Sequence, residues 1–234
     1  MPGAGVSAST LTSGTARVRA VLFDLDGTLI DSAPDLAGAA NDLRAAPDLP
    51  PMPFAELRPM VGSGARGMVA TAFGVAPGNA RFDTLRDQFL ARYETRSLQD
   101  TRVSDAMAPW LAALAAAGLP WGIVTNKHTR YAEPVVRGLG LDNRAATVIC
   151  GDTVARAKPH PDPLLEAARR LALAPQDCVY VGDDRRDAEA AQAAGMTALV
   201  AAWGYLGRGE DPATWGAQAI LSAPADLLNW LGLP

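Results

Sequence analysis

Short apolar runs, each bounded by turn-forming or charged residues, recur along the chain and predict buried parallel strands. These runs lie at 18–23, 120–124, 147–150, 178–181 and 197–201. Helical patterns fall between the later runs, at 106–117, 130–139, 161–172 and 186–194. Because strands and helices alternate, the pattern predicts an α/β fold with a doubly wound parallel sheet.

The interval between the first two predicted strands has a different pattern. Residues 33–100 contain no convincing strand and several helical stretches, at 34–46, 65–73 and 79–97. A helical insertion at this point would overhang the carboxyl edge of the sheet, where α/β folds bind ligands. We therefore predict a core of residues 17–32 and 101–234 with a helical cap at 33–100. Residues 1–16, rich in Gly, Ser, Thr and Ala, predict a flexible N-terminal tail.

Polar side chains stand where four of the predicted strands end. In chain order they are Asp24 and Asp26, Thr125 and Asn126, Lys158, and Asp183, Asp184 and Asp187. Because the carboxyl ends of parallel strands meet at one edge, we expect these groups to converge. Two carboxylates one residue apart resist joint ionisation, so their pairing indicates a bound cation or a proton held for use.

The residue types at these strand ends indicate phosphoryl chemistry. Carboxylates without a nearby histidine or thiol favour a hard cation, and Mg²⁺ is held by few carboxylates plus substrate oxygens. The cation and Lys158 would screen a phosphate and stabilise the displaced charge. One aspartate of the first pair would attack phosphorus, and the other would protonate the leaving alcohol and activate water.

Four segments resemble, in order and spacing, the four motifs of the haloacid dehalogenase superfamily of phosphatases. They are FDLDGTLID, VTN, the lysine of AKPHPDP, and GDDRRD. The resemblance covers about residues 18–225 and implies a Rossmann-like core with a cap, and a Mg²⁺-dependent phosphomonoester hydrolase. It also implies that Asp24 is the nucleophile and Asp26 the acid/base. Thr125 would bind the phosphoryl oxygens with Asn126 beside it, and Lys158 would orient the nucleophile and the phosphate.

The same resemblance implies a metal site and a supporting acid cluster. Mg²⁺ would be bound by Asp24, by the backbone carbonyl of Asp26 and by Asp183. Asp187 would act through water or brace the motif lysine. Asp184 stands where relatives often have serine, so its role is open.

Other segments indicate the substrate class. The cap and GTLIDSAPDL resemble the phosphoglycolate phosphatase group, which predicts 2-phosphoglycolate as substrate. GSGARGMV, WGIVTNKHTRYAEP, VGDDRRDAEAAQAAG and WGYLGRGEDPATWGA are also similar to a branch acting on N-acetylmuramic acid 6-phosphate, which is the alternative. Both substrates are phosphomonoesters that carry a carboxylate. Our hypothesis is that Arg66, in the glycine-flanked GSGARG, neutralises this carboxylate.

Other functions remain as alternatives. A phosphotransferase resembling β-phosphoglucomutase uses the same aspartates, whereas a dehalogenase does not need Asp26. A non-catalytic binding module is disfavoured because unused like charges would be destabilising. A calcium loop starting at Asp24 would need glycine and glutamate at its sixth and twelfth positions, which hold Leu29 and Asp35.

Composition sets limits on partners and location. The 234 residues are 49% hydrophobic, enough for a sizeable core, and the net charge of -4 argues against nucleic acid or an acidic membrane as partner. We expect a small-molecule substrate and a monomer or homodimer.

Cys150 and Cys178 have no companion at metal spacing, so they predict reduced thiols. With no secretory signal or membrane-length apolar run, the sequence predicts a cytoplasmic protein.

Overall fold

The computed structural model describes residues 18–209 and 211–233, so the predicted tail at 1–16 lies outside the described residues. The strands are β1 (Ala20–Phe23), β2 (Ile30–Asp31), β3 (Arg102–Val103), β4 (Trp121–Val124), β5 (Thr147–Ile149), β6 (Cys178–Gly182), β7 (Thr197–Ala201) and β8 (Ala219–Leu221). The helices are α1 (Ala33–Ala45), α2 (Phe54–Leu57), α3 (Gly64–Phe73), α4 (Phe82–Arg96), α5 (Ala108–Ala116), α6 (Thr129–Gly138), α7 (Asp162–Arg170), α8 (Arg185–Ala194) and α9 (Ala225–Leu231). Short 3₁₀ turns occupy Arg58–Ser63, Pro175–Asp177 and Pro212–Thr214.

Within the described residues, six parallel strands form the main sheet in the order β5-β4-β1-β6-β7-β8. The chain builds outward from β1 through β4 to β5, then returns to the other side of β1 with β6. Phe23 of β1 is in register with Ile123 of β4 and Val181 of β6, so the following residues emerge together at one edge. Ligands of open α/β sheets bind at such a reversal, which here lies between β1 and β6. The predicted doubly wound parallel sheet is confirmed.

Alternate residues of β1 point to opposite faces of the sheet, and each face has its own apolar core. Val21 and Phe23 belong to the core that includes residues of α5, α6 and α9. Ala20 and Leu22 belong to the core that includes residues of α7 and α8. Fully burying a side chain such as Phe23 stabilises the fold by roughly 1.5–3 kcal/mol. Helices on both faces explain why the strands of the main sheet are mostly apolar.

Helices α1 to α4, which we call the helical segment (residues 33–96), share a separate apolar core. Leu36, Val69, Phe89 and Tyr93 are buried in it. The segment leaves the sheet just after β1 and returns just before α5. This arrangement supports the division into a core and a cap at 33–100, which remains a prediction.

The two ends of the helical segment are held together in two ways. β2 and β3 pair antiparallel, with Ile30 opposite Val103 and Asp31 opposite Arg102. The buried carboxylate of Asp35, at the start of α1, accepts hydrogen bonds from the backbone N–H groups of residues 100 and 101 and from the residue 101 hydroxyl. These contacts satisfy a charge that would otherwise be costly to bury.

Five elements have no clear signal in the sequence, and one of them is the four-residue helix α2. β2 and β3 are two residues long, too short for a period, and β8 is only partly buried. α9 follows β8 and adds Leu227 to the core.

Both cysteines are buried and free, as predicted. Among the described helices, none has the length and apolar character needed to cross a bilayer.

Candidate active site

A cavity of about 670 Å³ lies at the carboxyl edge of the sheet, between β1, β4 and β6 and the helical segment. Eight of the nine site residues predicted from sequence line it: Asp24, Asp26, Thr125, Asn126, Lys158, Asp183, Asp184 and Asp187. The ninth, Arg66, is exposed on α3 and is not among the cavity-lining residues. The parallel sheet therefore brings the four strand ends together, but it does not bring Arg66 to them.

Lys158 is a buried charge of the site, with its side chain 3% exposed. Its ammonium lies 2.7 Å from Asp24 Oδ1 and 2.7 Å from Asp187 Oδ1. It also contacts the hydroxyl of Tyr180 at 2.6 Å and the carbonyl of Val124 at 2.9 Å. Tyr180 belongs to an apolar strand pattern, so its sequence context indicates only core packing. The structure makes its hydroxyl part of the site.

Asn126 holds the backbone of the loop that carries Lys158. Its side-chain amide donates to the Lys158 carbonyl at 2.9 Å, and its Oδ1 accepts from the Lys158 N–H at 3.0 Å. Both ends of the amide are thereby engaged with the protein. The Thr125 hydroxyl accepts from the N–H of Lys127 at 3.1 Å, so its own proton can be donated to a phosphoryl oxygen.

Asp183 faces Asp24 across the reversal of the sheet. Its two oxygens accept hydrogen bonds from the Thr28 hydroxyl at 3.0 Å and the Tyr205 N–H at 2.7 Å. Gly27 has φ +90, and a side-chain carbon there would clash with the Asp183 carboxylate. Glycine is needed at this turn for both reasons.

Asp184 and Asp187 form a capping box at the start of α8. Asp184 accepts from the Arg186 N–H at 2.9 Å, and Asp187 Oδ2 accepts from the Asp184 N–H at 3.1 Å. Such a cap contributes roughly 0.5–2 kcal/mol to stability. The Arg186 side chain also binds Asp184 and donates to the carbonyl of Gly62 in the helical segment. This geometry gives Asp184 a structural role, while Asp187 both caps α8 and contacts Lys158.

Asp26 is held by two side chains that the motifs do not single out. The Ser32 hydroxyl donates to Asp26 Oδ1 at 2.5 Å, and the ammonium of Lys127 lies 3.0 Å from both carboxylate oxygens. Lys127 also lies over the ring of Tyr93, 4.7 Å from its centroid. Burial lowers the pKa of Lys127, but Asp26 and Tyr93 outweigh this and raise it above its ordinary value. The ammonium therefore stays charged. The sequence does contain one signal for Lys127: the chain has two lysines, and both line this cavity.

The acid cluster is electrostatically strained without a cation. Burial raises the pKa of the Asp24 carboxyl to about 7. The attraction of Lys158 lowers this pKa but offsets only part of the effect of burial, and repulsion from Asp187 raises the pKa further. Burial and the carboxylates of Asp24 and Asp187 likewise raise the pKa of Asp183. Oxygens of these three aspartates lie within 4.8 Å of one another. The all-oxygen donor set fits a hard divalent cation, which would relieve the repulsion.

Residues 18–195 match the family described as haloacid dehalogenase-like hydrolase. The chain belongs to this family. A phosphoglycolate phosphatase of Xylella fastidiosa is 46% identical over 212 residues, which cover 91% of this chain and 92% of that protein. An N-acetylmuramic acid 6-phosphate phosphatase of Pseudomonas aeruginosa is 42% identical over 215 residues, covering 92% and 95%. The crystal structure of a predicted phosphoglycolate phosphatase from Haemophilus somnus shares 28% identity with a TM-score of 0.79, covering 92% and 99%.

Membership in the haloacid dehalogenase-like hydrolases confirms the resemblance drawn from the four motifs, and the protein is a phosphatase. Phosphatases of this family generally use Mg²⁺, and the acidic cluster of Asp24, Asp183 and Asp187 is able to bind a metal ion.

Proposed function

We propose that this haloacid dehalogenase-like phosphatase hydrolyses a small phosphomonoester that carries a carboxylate, with 2-phosphoglycolate as the first candidate. The observation that carries the proposal is the position of Asp24. It lies at the reversal of the sheet, on the cavity wall, with Lys158 on one of its oxygens and Asp183 beside it. A carboxylate in this setting has the charge environment that a phosphoryl acceptor needs.

The first half of the reaction forms an aspartyl-phosphate. Lys158 holds Asp24 Oδ1, and the other oxygen attacks phosphorus. The bond between phosphorus and the ester oxygen breaks, and Asp26 gives its proton to the leaving alcohol. The Thr125 hydroxyl and Lys158 bind the phosphoryl oxygens as charge moves onto them.

The second half returns the enzyme to its starting state. Asp26 removes a proton from a water molecule, which attacks the phosphorus of the aspartyl-phosphate. The bond between phosphorus and Asp24 then breaks, inorganic phosphate leaves, and Asp26 holds the proton again. Ser32, whose hydroxyl donates to Asp26, keeps this carboxyl oriented in both steps.

Mg²⁺ would be held by Asp24, the backbone carbonyl of Asp26 and Asp183, where it would screen the charge between the phosphate and the carboxylates.

Replacing Asp183 by Asn is expected to weaken Mg²⁺ binding by roughly 10–100-fold, because one anionic oxygen ligand is lost. Isothermal titration calorimetry with Mg²⁺ measures this directly, alongside the Mg²⁺ dependence of phosphate release. Asp142→Asn, at an exposed position outside the cavity, is the matched control. Equal Mg²⁺ affinity in Asp183→Asn and the control would contradict the assignment.

N-acetylmuramic acid 6-phosphate is a second candidate because of the size of the cavity. Its volume of about 670 Å³ exceeds the needs of a two-carbon ester. It falls within the roughly 300–1,000 Å³ that is usual for sites of larger ligands. Phe89, Tyr93 and Tyr131 supply aromatic surface on its wall. A sugar ring would pack against such surface, and the relative of Pseudomonas aeruginosa is named for this substrate.

Phosphate release from a panel of esters in Mg²⁺ tests both candidates. The panel holds 2-phosphoglycolate, N-acetylmuramic acid 6-phosphate, glucose 6-phosphate, β-glucose 1-phosphate and p-nitrophenyl phosphate, with EDTA as control. We expect kcat/KM for 2-phosphoglycolate to exceed that for the esters without a carboxylate by at least about 10-fold. This factor corresponds to the free energy of one hydrogen bond to a charged group. A higher value for N-acetylmuramic acid 6-phosphate would favour the second candidate. Glucose 6-phosphate formed from β-glucose 1-phosphate without free phosphate would indicate a phosphotransferase.

The predicted cytoplasmic location and the monomer or homodimer state remain predictions.

A further inference from the structure

Both lysines of the chain lie in the cavity, whereas the other 19 basic side chains are arginines. Each lysine contacts a different aspartate of the strand β1 motif: Lys158 binds Asp24 and Lys127 binds Asp26. An ammonium is a compact charge on a flexible stem, with three donors and no fixed fork. Lys158 belongs to the proposed phosphoryl chemistry, while the proposed reaction gives Lys127 no task of its own.

The other cations that line the described cavity are committed elsewhere. Arg86 binds Asp83 and Asp87 of its own helix, and Arg186 binds Asp184 and a backbone carbonyl of the helical segment. Lys158 contacts Asp24 and Asp187 and is already assigned to the phosphoryl group. Lys127 is the cation whose acidic partner is the proposed acid/base itself.

Lys127 has the freedom to accept another anionic partner. Its backbone is fixed, because its N–H donates to the Thr125 hydroxyl and its carbonyl accepts from the Gly151 N–H at 2.9 Å. Its ammonium donates to the two oxygens of Asp26 and lies over the Tyr93 ring. Tyr93 is the third neighbour of this ammonium, so a carboxylate in the cavity would share the ammonium with Asp26 or displace its contact with Tyr93. The side chain is 10% exposed, so an anion bound there would be largely desolvated and strongly attracted.

The chemistry of the ester places a carboxylate near this ammonium. Asp26 must reach the ester oxygen to protonate it. In 2-phosphoglycolate, the carbon that bears this oxygen also bears the carboxylate. The cation that lies 3.0 Å from both oxygens of Asp26 is therefore positioned beside the carboxylate of such a substrate.

We propose that Lys127 binds the carboxylate of the substrate and makes the site selective for esters whose carboxylate lies on the carbon that bears the phosphoryl oxygen. This inference rests on the proposed function and narrows its substrate class. Lys127 would neutralise the substrate carboxylate, the role that the sequence suggested for Arg66, which is exposed on α3. In N-acetylmuramic acid 6-phosphate, the carboxylate belongs to a lactyl ether on another ring carbon, several bonds from the ester oxygen.

The test compares 2-phosphoglycolate with ethyl phosphate, which lacks the carboxylate, in wild type, Lys127→Met and Lys127→Arg. Loss of the contact to Asp26 affects both esters, so it cancels in the ratio of their kcat/KM values. In Lys127→Met, this ratio is expected to fall by roughly 10–100-fold, as for a lost hydrogen bond to a charged group. Most of the fall should appear in KM for 2-phosphoglycolate. Lys127→Arg keeps a cation against Asp26 and is expected to fold and to retain most of the preference.

Two further comparisons complete the test. Arg144→Met removes an exposed positive charge outside the cavity and should leave the ratio unchanged. N-acetylmuramic acid 6-phosphate should lose activity in Lys127→Met only as much as ethyl phosphate does. A preference for 2-phosphoglycolate that survives in a folded Lys127→Met overturns this inference alone. A wild type without that preference overturns both the inference and the proposed 2-phosphoglycolate class.

Discussion

Replacing Asp24 by Asn is expected to lower kcat for phosphate release by roughly 10⁴–10⁶-fold, the scale of losing a catalytic nucleophile. The amide is neutral and cannot form the acyl phosphate. The fold should survive, because Asn has nearly the same shape and its Oδ1 can still accept from Lys158. The change also removes one of three carboxylates that crowd each other, and burial of the Asp24 charge is unfavourable. Without divalent cations, Tm should therefore be no lower than in wild type.

Two measurements check the assignment of Asp24. Phosphate release is compared among wild type, Asp24→Asn and the exposed control Asp142→Asn, with circular dichroism to establish folding. Mass spectrometry of wild type quenched in acid during turnover should find a phosphoryl group on Asp24. Release by Asp24→Asn at the wild-type rate would show that another group attacks phosphorus.

Replacing Lys158 by Met is expected to affect both catalysis and stability. kcat/KM should fall by roughly 10²–10⁴-fold, because a preorganised charge on the phosphoryl group is removed. Stability should fall by about 3–5 kcal/mol in EDTA, since breaking a buried ion pair leaves Asp24 and Asp187 uncompensated. Mg²⁺ should restore part of this stability by neutralising Asp24. The position is almost fully buried, so the loss cannot be relieved by water.

Thermal unfolding in EDTA and in Mg²⁺, together with kcat/KM, measures these effects. Lys158→Arg is the matched variant, because it keeps the charge but replaces a compact ammonium by a larger fork. It should be more stable than Lys158→Met. If Lys158→Met kept kcat/KM within about threefold of wild type, Lys158 would have no contact with the phosphoryl group in the transition state.

Much of the fold follows from short-range pattern. The strands β1, β4, β5, β6 and β7 coincide with apolar runs, because a strand covered on both faces is apolar at nearly every position. The helices α5 to α8 coincide with helical periodicity to within a few residues, whereas α9 does not follow from it. β2, β3 and β8 depend on partners distant in sequence, and no local period marks them.

The sequence by itself determined which groups meet at the carboxyl edge. Residues that directly follow parallel strands lie at one edge of the sheet, so Asp24, Thr125 and Asp183 converge once the topology is known, and Lys158 joins them from the loop between β5 and α7. Their residue types and order also indicated the hydrolase family and its phosphoryl chemistry. No side-chain geometry is needed for either conclusion.

Only the tertiary structure decided where individual side chains point. Lys127 and Asp26 are 101 residues apart, and their contact depends on how the loop after β4 lies beside the turn after β1. The Tyr180 hydroxyl reaches Lys158 from within an apolar strand, while Arg66 is exposed on the outside of α3. Sequence periodicity assigns a residue to a face, but side-chain direction and the packing of separate elements decide which atoms touch.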